Sequence, residues 1–144
     1  MIAGVDVPRR LRDAAPGSLE GTPVIFAYLF GSVAAGRAGP TSDVDVAVYA
    51  DPELPADRYL DISLELAERL AEASGIGDVE VLVLNSAPLS IRGRVVQERV
   101  VLYSRDEETR VEYESRTLRE FFDFQIHAGP LDELMLREIA EGRR

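Results

Sequence analysis

The feature that most restricts the fold is the run Thr22-Pro-Val-Ile-Phe-Ala-Tyr-Leu-Phe30, almost wholly apolar and rich in strand-forming residues. A strand apolar at successive positions has no face to give to water, so it reads as buried. The run stops at Gly31-Ser32. Val33-Ala-Ala-Gly-Arg37 then has room for one short helical turn before Gly39-Pro40 breaks it. Asp43-Val-Asp-Val-Ala-Val-Tyr49 follows, alternating polar and apolar at its start as a strand with one open face does.

The rest of the chain supplies the covering layers. From Ala56 to Ala73 the residues Leu60, Leu64, Ala67 and Leu70 recur at helical spacing, with Ile62 and Leu66 widening the stripe. Ser74-Gly75-Ile76-Gly77 caps that helix. Val79–Leu84 predicts a third strand, Asn85–Pro88 a turn, Leu89–Glu98 a helix and Val100–Tyr103 a fourth strand. Glu107–Ile126 and Leu131–Glu141 read as two helices parted by Gly129-Pro130, with His127 at a helix end or in a loop. The first twenty residues, with Pro8 and Pro16, read as a short helix or loose lead-in anchored by Val7 and Leu11. This order predicts one α/β (α+β) domain, a short mixed sheet flanked by helices. Its parts are a lead-in over 1–21, a core over 22–104 and a C-terminal helical extension over 105–144.

Composition removes several chemistries. There is no cysteine, so neither disulfides nor thiolate metal sites are available, and one histidine cannot supply a two-imidazole site. All 16 basic residues are arginines, which excludes a P-loop lysine or a Schiff base. The net charge of −10 repels phosphate backbones and speaks against direct nucleic-acid binding. No apolar run approaches the roughly 18 residues of a membrane helix, and no apolar stretch follows Arg9-Arg10 as in a signal peptide. A soluble, cytoplasmic protein is expected.

Asp43 and Asp45 carry the first chemical signal. Two apart on a strand, they point to one face a few ångströms from each other, and they repel unless a cation sits between them. Hard oxygen ligands without nearby histidine or cysteine favour Mg²⁺ or Mn²⁺. Gly31-Ser32 is the second signal, since glycine lets a phosphate approach the backbone while an amide and a hydroxyl hold its oxygens. Alone, Asp-x-Asp is more often a pair of surface aspartates and Gly-Ser a plain turn. Strand, Gly-Ser, short helix, then strand with Asp-x-Asp is a much rarer conjunction.

Gly-Ser, ten intervening residues and Asp-x-Asp resemble the signature of the DNA polymerase β-type nucleotidyltransferase superfamily. The fuller string Leu29-Phe-Gly-Ser-Val-Ala-Ala-Gly-Arg…Thr-Ser-Asp-Val-Asp-Val-Ala-Val48 is similar to its minimal nucleotidyltransferase (MNT) branch. Val95–Tyr103 and Arg110–Phe124 are similar to MNT antitoxins paired with HEPN toxins. The resemblance implies that Gly31 and Ser32 bind the triphosphate of ATP or another NTP, and that Asp43 and Asp45 hold two Mg²⁺ ions. It also implies a third acid on a neighbouring strand, for which Glu80 is the candidate and Asp78 the fallback. The family more often has Asp there, so the longer Glu80 is a departure. Arg37 and Ser42, between the two motifs, are further candidates for the nucleotide phosphates.

What the resemblance implies is AMP transfer from ATP to a tyrosine of a HEPN ribonuclease toxin, silencing it within a hetero-oligomer. The rivals are a small-molecule nucleotidyltransferase, a non-catalytic antitoxin acting by binding, and a polymerase fragment. About forty residues follow Tyr103, too few for the large acceptor domain of antibiotic-modifying enzymes, so a protein acceptor fits better. Arg92, Arg94 and Arg99 read as a charged solvent face, and Tyr113, Phe121, Phe122 and Phe124 as the side that packs the last helix on the sheet. An outward Phe122 would instead mark a partner surface.

Overall fold

The apolar run becomes β1 (Val24–Phe30), one of the two inner strands of a four-stranded mixed sheet ordered β3-β2-β1-β4. The computed structural model describes residues 6–36 and 43–140, and among these the side chains of all but 128–140. The other elements are α1 (Val7–Leu19), the one-turn α2 (Gly31–Ala34), β2 (Val44–Ala50), α3 (Tyr59–Ser74), β3 (Val79–Val83), α4 (Leu89–Glu98), β4 (Val100–Ser104) and α5 (Glu107–Ala140). Single 3₁₀ turns at Ala56–Arg58 and Leu84–Ser86 join them. β1 runs antiparallel to β2 and β4, whereas β2 and β3 are parallel. The C-terminal end of β1 and the N-terminal ends of the other three strands therefore share one edge of the domain.

Two apolar layers sandwich the sheet. On one face Val7, Leu11 and Leu19 of α1 and Ile62, Leu66 and Leu70 of α3 pack on Val24, Leu29, Val46 and Val48. On the other, Val95 and Val96 of α4 and Tyr113 of α5 pack on Phe26, Tyr28 and Ala47. Each buried Leu or Phe of this kind is worth about 1.5–3 kcal/mol. Residues 7–19 of the segment read as a lead-in are thus a core helix, N-capped by the Asp6 carboxylate on the Arg9 amide at 3.2 Å. Gly93 sets the spacing on the second face, where a Cβ would overlap the Phe121 ring.

Four local expectations change. β2 has no open face, because only Asp45 and Tyr49 along it are even half-buried, and Tyr49 stacks on Phe26 with centroids 5.0 Å apart. α3 turns Tyr59, Ile62, Leu66 and Leu70 inward and leaves Leu60 69% and Leu64 63% exposed, so the outer half of the predicted stripe faces water. The last two predicted helices are one, α5, running through Gly129-Pro130. A proline removes one i→i−4 bond, a loss that a 34-residue helix carries on its remaining bonds. His127 accordingly lies within α5, exposed. Of the aromatic side of α5, Tyr113 and Phe121 are buried, whereas Phe122 and Phe124 lie outward. Three boundaries follow the sequence closely. The left-handed Gly75 (φ 77°) ends α3, α4 spans Leu89–Glu98, and β1 is enclosed from Val24 to Phe30. No helix among the described residues is long and apolar enough to cross a membrane.

Candidate active site

Where β1 meets α2, the chain turns through Gly31 at φ +83°, a conformation that L side chains rarely adopt. A Cβ built at Gly31 would stand 2.5 Å from Oδ2 of Asp45. Glycine is therefore needed twice here, for the backbone turn and to leave room for that carboxylate. Ser32 follows in α2, half-buried. Asp45 sits opposite Phe30 across the β1–β2 ladder, so the end of β1 and the start of β2 bring the glycine and the aspartate together.

The parallel β2–β3 register pairs Asp45 directly with Glu80. Both point to the face covered by α4 and α5, since their neighbours Val44, Val46, Val79 and Val81 pack on the opposite side. Asp43 lies one residue before β2, exposed, and shares the parity of Asp45. Asp78 is also exposed, and its carbonyl accepts the Val44 amide at 2.9 Å, so its backbone joins the two parallel strands at their start.

The electrostatics follow from this crowding. Burial, and then the charge of Asp43, hold the Asp45 carboxyl above the usual range, with Glu98 adding to the shift and Arg94 opposing it. Glu80 is pushed up chiefly by the charge of Asp43, then by desolvation, and further by Asp45 and Asp78. The charge of Asp43 thus raises both Asp45 and Glu80, and among the described residues Arg94 opposes the shift at Asp45. Among the described residues, no three histidine, cysteine, aspartate or glutamate side chains are drawn together closely enough to hold a metal ion as they stand. The donor set nonetheless suits Mg²⁺ or Mn²⁺, being all carboxylate oxygen and mutually repelling. Arg37 and Ser42 lie outside the described residues.

The last turn of α4 completes the edge. Oε1 of Glu98 accepts the Gly31 amide at 3.0 Å, and its Oε2 pairs with Nε of Arg94 at 3.3 Å. Arg94 thus stands at the Gly31 turn and not merely on a charged solvent face, and Glu98 is brought to the site by the fold alone. Their spacing of four is visible in the sequence, but nothing local says that this turn lies over the end of β1. Arg92 reaches Glu120 at 3.7 Å and Arg99 pairs with Glu114 at 3.1 Å, so both tie α4 to α5.

Residues 19–108 match the family model described as polymerase beta, nucleotidyltransferase, a stretch that holds Gly31, both aspartates and Glu80. The chain belongs to that family. Among solved structures, this nucleotidyltransferase is similar to a chain of a toxin–antitoxin crystal structure with AMP-PNP, at 26% identity and a TM-score of 0.59, covering 90% of this chain and 96% of that one. It has the fold of a chain in a tri-AMPylated Shewanella oneidensis HEPN toxin–MNT antitoxin complex, at 22% identity and TM-score 0.63, covering 89% and 98%. The same holds for a chain of the MntA–HepT toxin–antitoxin, at 23% identity and TM-score 0.62, covering 88% and 98%. What these matches have in common with this chain is the fold. No curated protein sequence matches the chain.

Proposed function

We propose that this nucleotidyltransferase moves AMP from ATP to a tyrosine hydroxyl of a HEPN-type toxin and so acts as its antitoxin. The observation that carries the reading is the convergence of Asp45, Glu80 and Gly31 at one sheet edge, where the ladder registers juxtapose them. A fold shared with toxin–antitoxin structures, one of them with AMP-PNP and another with a tri-AMPylated HEPN toxin, supports the donor and the acceptor class.

In this reading Asp43, Asp45 and Glu80 are the ligands of Mg²⁺, which when bound neutralises triphosphate charge and acidifies the acceptor hydroxyl. Gly31 and Ser32 hold the β- and γ-phosphates, with Arg37 and Ser42 on the intervening segment as further phosphate contacts. The acceptor oxygen bonds to the α-phosphorus as the bond to the bridging oxygen breaks, and pyrophosphate leaves. Glu80, exposed at the rim, stands where the proton of the incoming hydroxyl is released. The protein forms no covalent bond in this scheme, so positioning and charge neutralisation lower the barrier.

The test is incubation of the protein with α-labelled ATP, Mg²⁺ and the HEPN protein encoded beside it, with Asp43→Ala/Asp45→Ala as control. Label on the HEPN protein, lost by at least about a thousandfold in the control, is the expected result. Tight binding of the two proteins without label from any NTP would replace enzymatic silencing with occlusion.

A further inference from the structure

We propose that Glu98 is a built-in competitor for the nucleotide's phosphate site, and that displacing it hands Arg94 to the triphosphate. The inference rests on the nucleotidyltransferase reading above and adds two residues of α4 to it. Gly31 presents its amide at the turn where β1 ends, and that amide is already taken by a carboxylate oxygen of Glu98 at 3.0 Å. An ionised carboxylate is the closest side-chain mimic of a phosphate oxygen for a backbone N–H. A triphosphate held at Gly31 has to remove it.

Two further observations make the placement of Glu98 unusual. Glu98 is the last residue of α4, the helix end at which the dipole disfavours negative charge. It also adds to the negative field at Asp45, so it joins an acidic group. What holds it there is the Gly31 amide and Arg94, one turn back, at 3.3 Å. The Arg94 side chain is 49% exposed, and it too is close enough to act on Asp45. Release of Glu98 frees both binding groups together. The amide and the guanidinium, each engaged by one oxygen of the same carboxylate, become a two-point clamp for one phosphate.

The experiment titrates AMP-PNP with Mg²⁺ into wild type, Glu98→Gln, Glu98→Ala and Arg94→Ala by calorimetry, and follows the Gly31 amide by ¹H–¹⁵N correlation. Removing the competitor should tighten binding by about tenfold in Glu98→Ala, the gain for a site closed about nine-tenths of the time. Glu98→Gln, which keeps a neutral acceptor, should gain less, and Arg94→Ala should weaken binding. In wild type the Gly31 amide should shift as nucleotide is added, and Glu98→Ala should abolish its resting, carboxylate-bonded position. If Glu98→Ala fails to fold, the Glu98→Gln gain and the wild-type shift decide. Binding by wild type with neither Glu98 variant tighter than it overturns this inference alone. No binding by any of the four proteins overturns the nucleotide-site reading as well.

Discussion

Two charged clusters lie on the same face of this sheet, and they treat their carboxylates in opposite ways. Beneath α5, Glu114 is 7% exposed, yet its Oε2 meets the Tyr28 hydroxyl at 2.8 Å, Arg110 at 2.7 Å and Arg99 at 3.1 Å. Arg110 also pairs with Glu107 at 2.7 Å. The proton-bearing partners stay protonated there. Burial and the Glu114 hydrogen bond push the Tyr28 phenol up, and the Glu107 and Glu114 carboxylates hold the Arg110 guanidinium up. At the sheet edge, burial and then the charge of Asp43 raise Asp45 against the opposing Arg94, and the charge of Asp43 above all raises Glu80. The first cluster is internally neutralised, so it locks α5 to β1. Among the described residues the second has only Arg94 against these carboxylates, and on the proposed function a bound cation supplies the missing charge.

The largest test of that contrast is Glu114→Ala. It leaves Arg99 without its carboxylate, Arg110 with Glu107 alone and the buried Tyr28 hydroxyl without its acceptor, and should destabilise the protein by about 3 kcal/mol in urea or thermal unfolding. A loss of a few tenths would mean that the cluster is solvated and the contrast false. Asp45→Asn should do the reverse when divalent metal is chelated, stabilising the protein by about 0.5–1 kcal/mol by removing one of the repelling charges. The same substitution should abolish any stabilisation by added Mg²⁺. A destabilised Asp45→Asn in chelator would place Asp45 among the structural carboxylates.

The smallest effect lies in pH. Glu107 is held down to about 2 by its Arg110 hydrogen bonds, below its ordinary 4.5. Its contribution is therefore complete above pH 4.5 and is lost as pH falls toward 2. Asp45 and Glu80, being raised, contribute stability only below their ordinary values of 3.8 and 4.5, and lose it as pH climbs through the raised ones. Acid unfolding of Glu107→Gln between pH 4.5 and 2 should be shallower than that of wild type. Equal slopes would remove Glu107 from the neutralised cluster.

How these clusters were visible in the sequence differs as well. β1, the bounds of α4 and the Gly75 cap were legible because local pattern and tertiary demand agree there: an apolar run, an apolar stripe, a glycine after the last turn. Gly31-Ser32 and Asp43-Val-Asp45 could be read as neighbours because β1 and β2, consecutive strands, pair antiparallel. The pairing of Asp45 with Glu80 depends on the β2–β3 register, which the sequence only suggests through parity. The Glu98 contact with Gly31 spans 67 residues and Tyr28 with Glu114 spans 86, and no local signal encodes either. In α5, Gly129-Pro130 is a strong stop signal that the long helix overrides, while Leu60 and Leu64 satisfy helical periodicity without facing the core.

On the proposed function, the acid cluster at the end of β1 holds divalent metal for nucleotide transfer. The most direct measurement is Mn²⁺ binding by electron paramagnetic resonance, with AMP-PNP present, in wild type and Asp43→Asn/Asp45→Asn. Saturable binding in wild type that weakens by at least about a hundredfold in the double variant is the predicted result. Mn²⁺ bound no more tightly by wild type than by the double variant would contradict the account, leaving the unneutralised acids without a function.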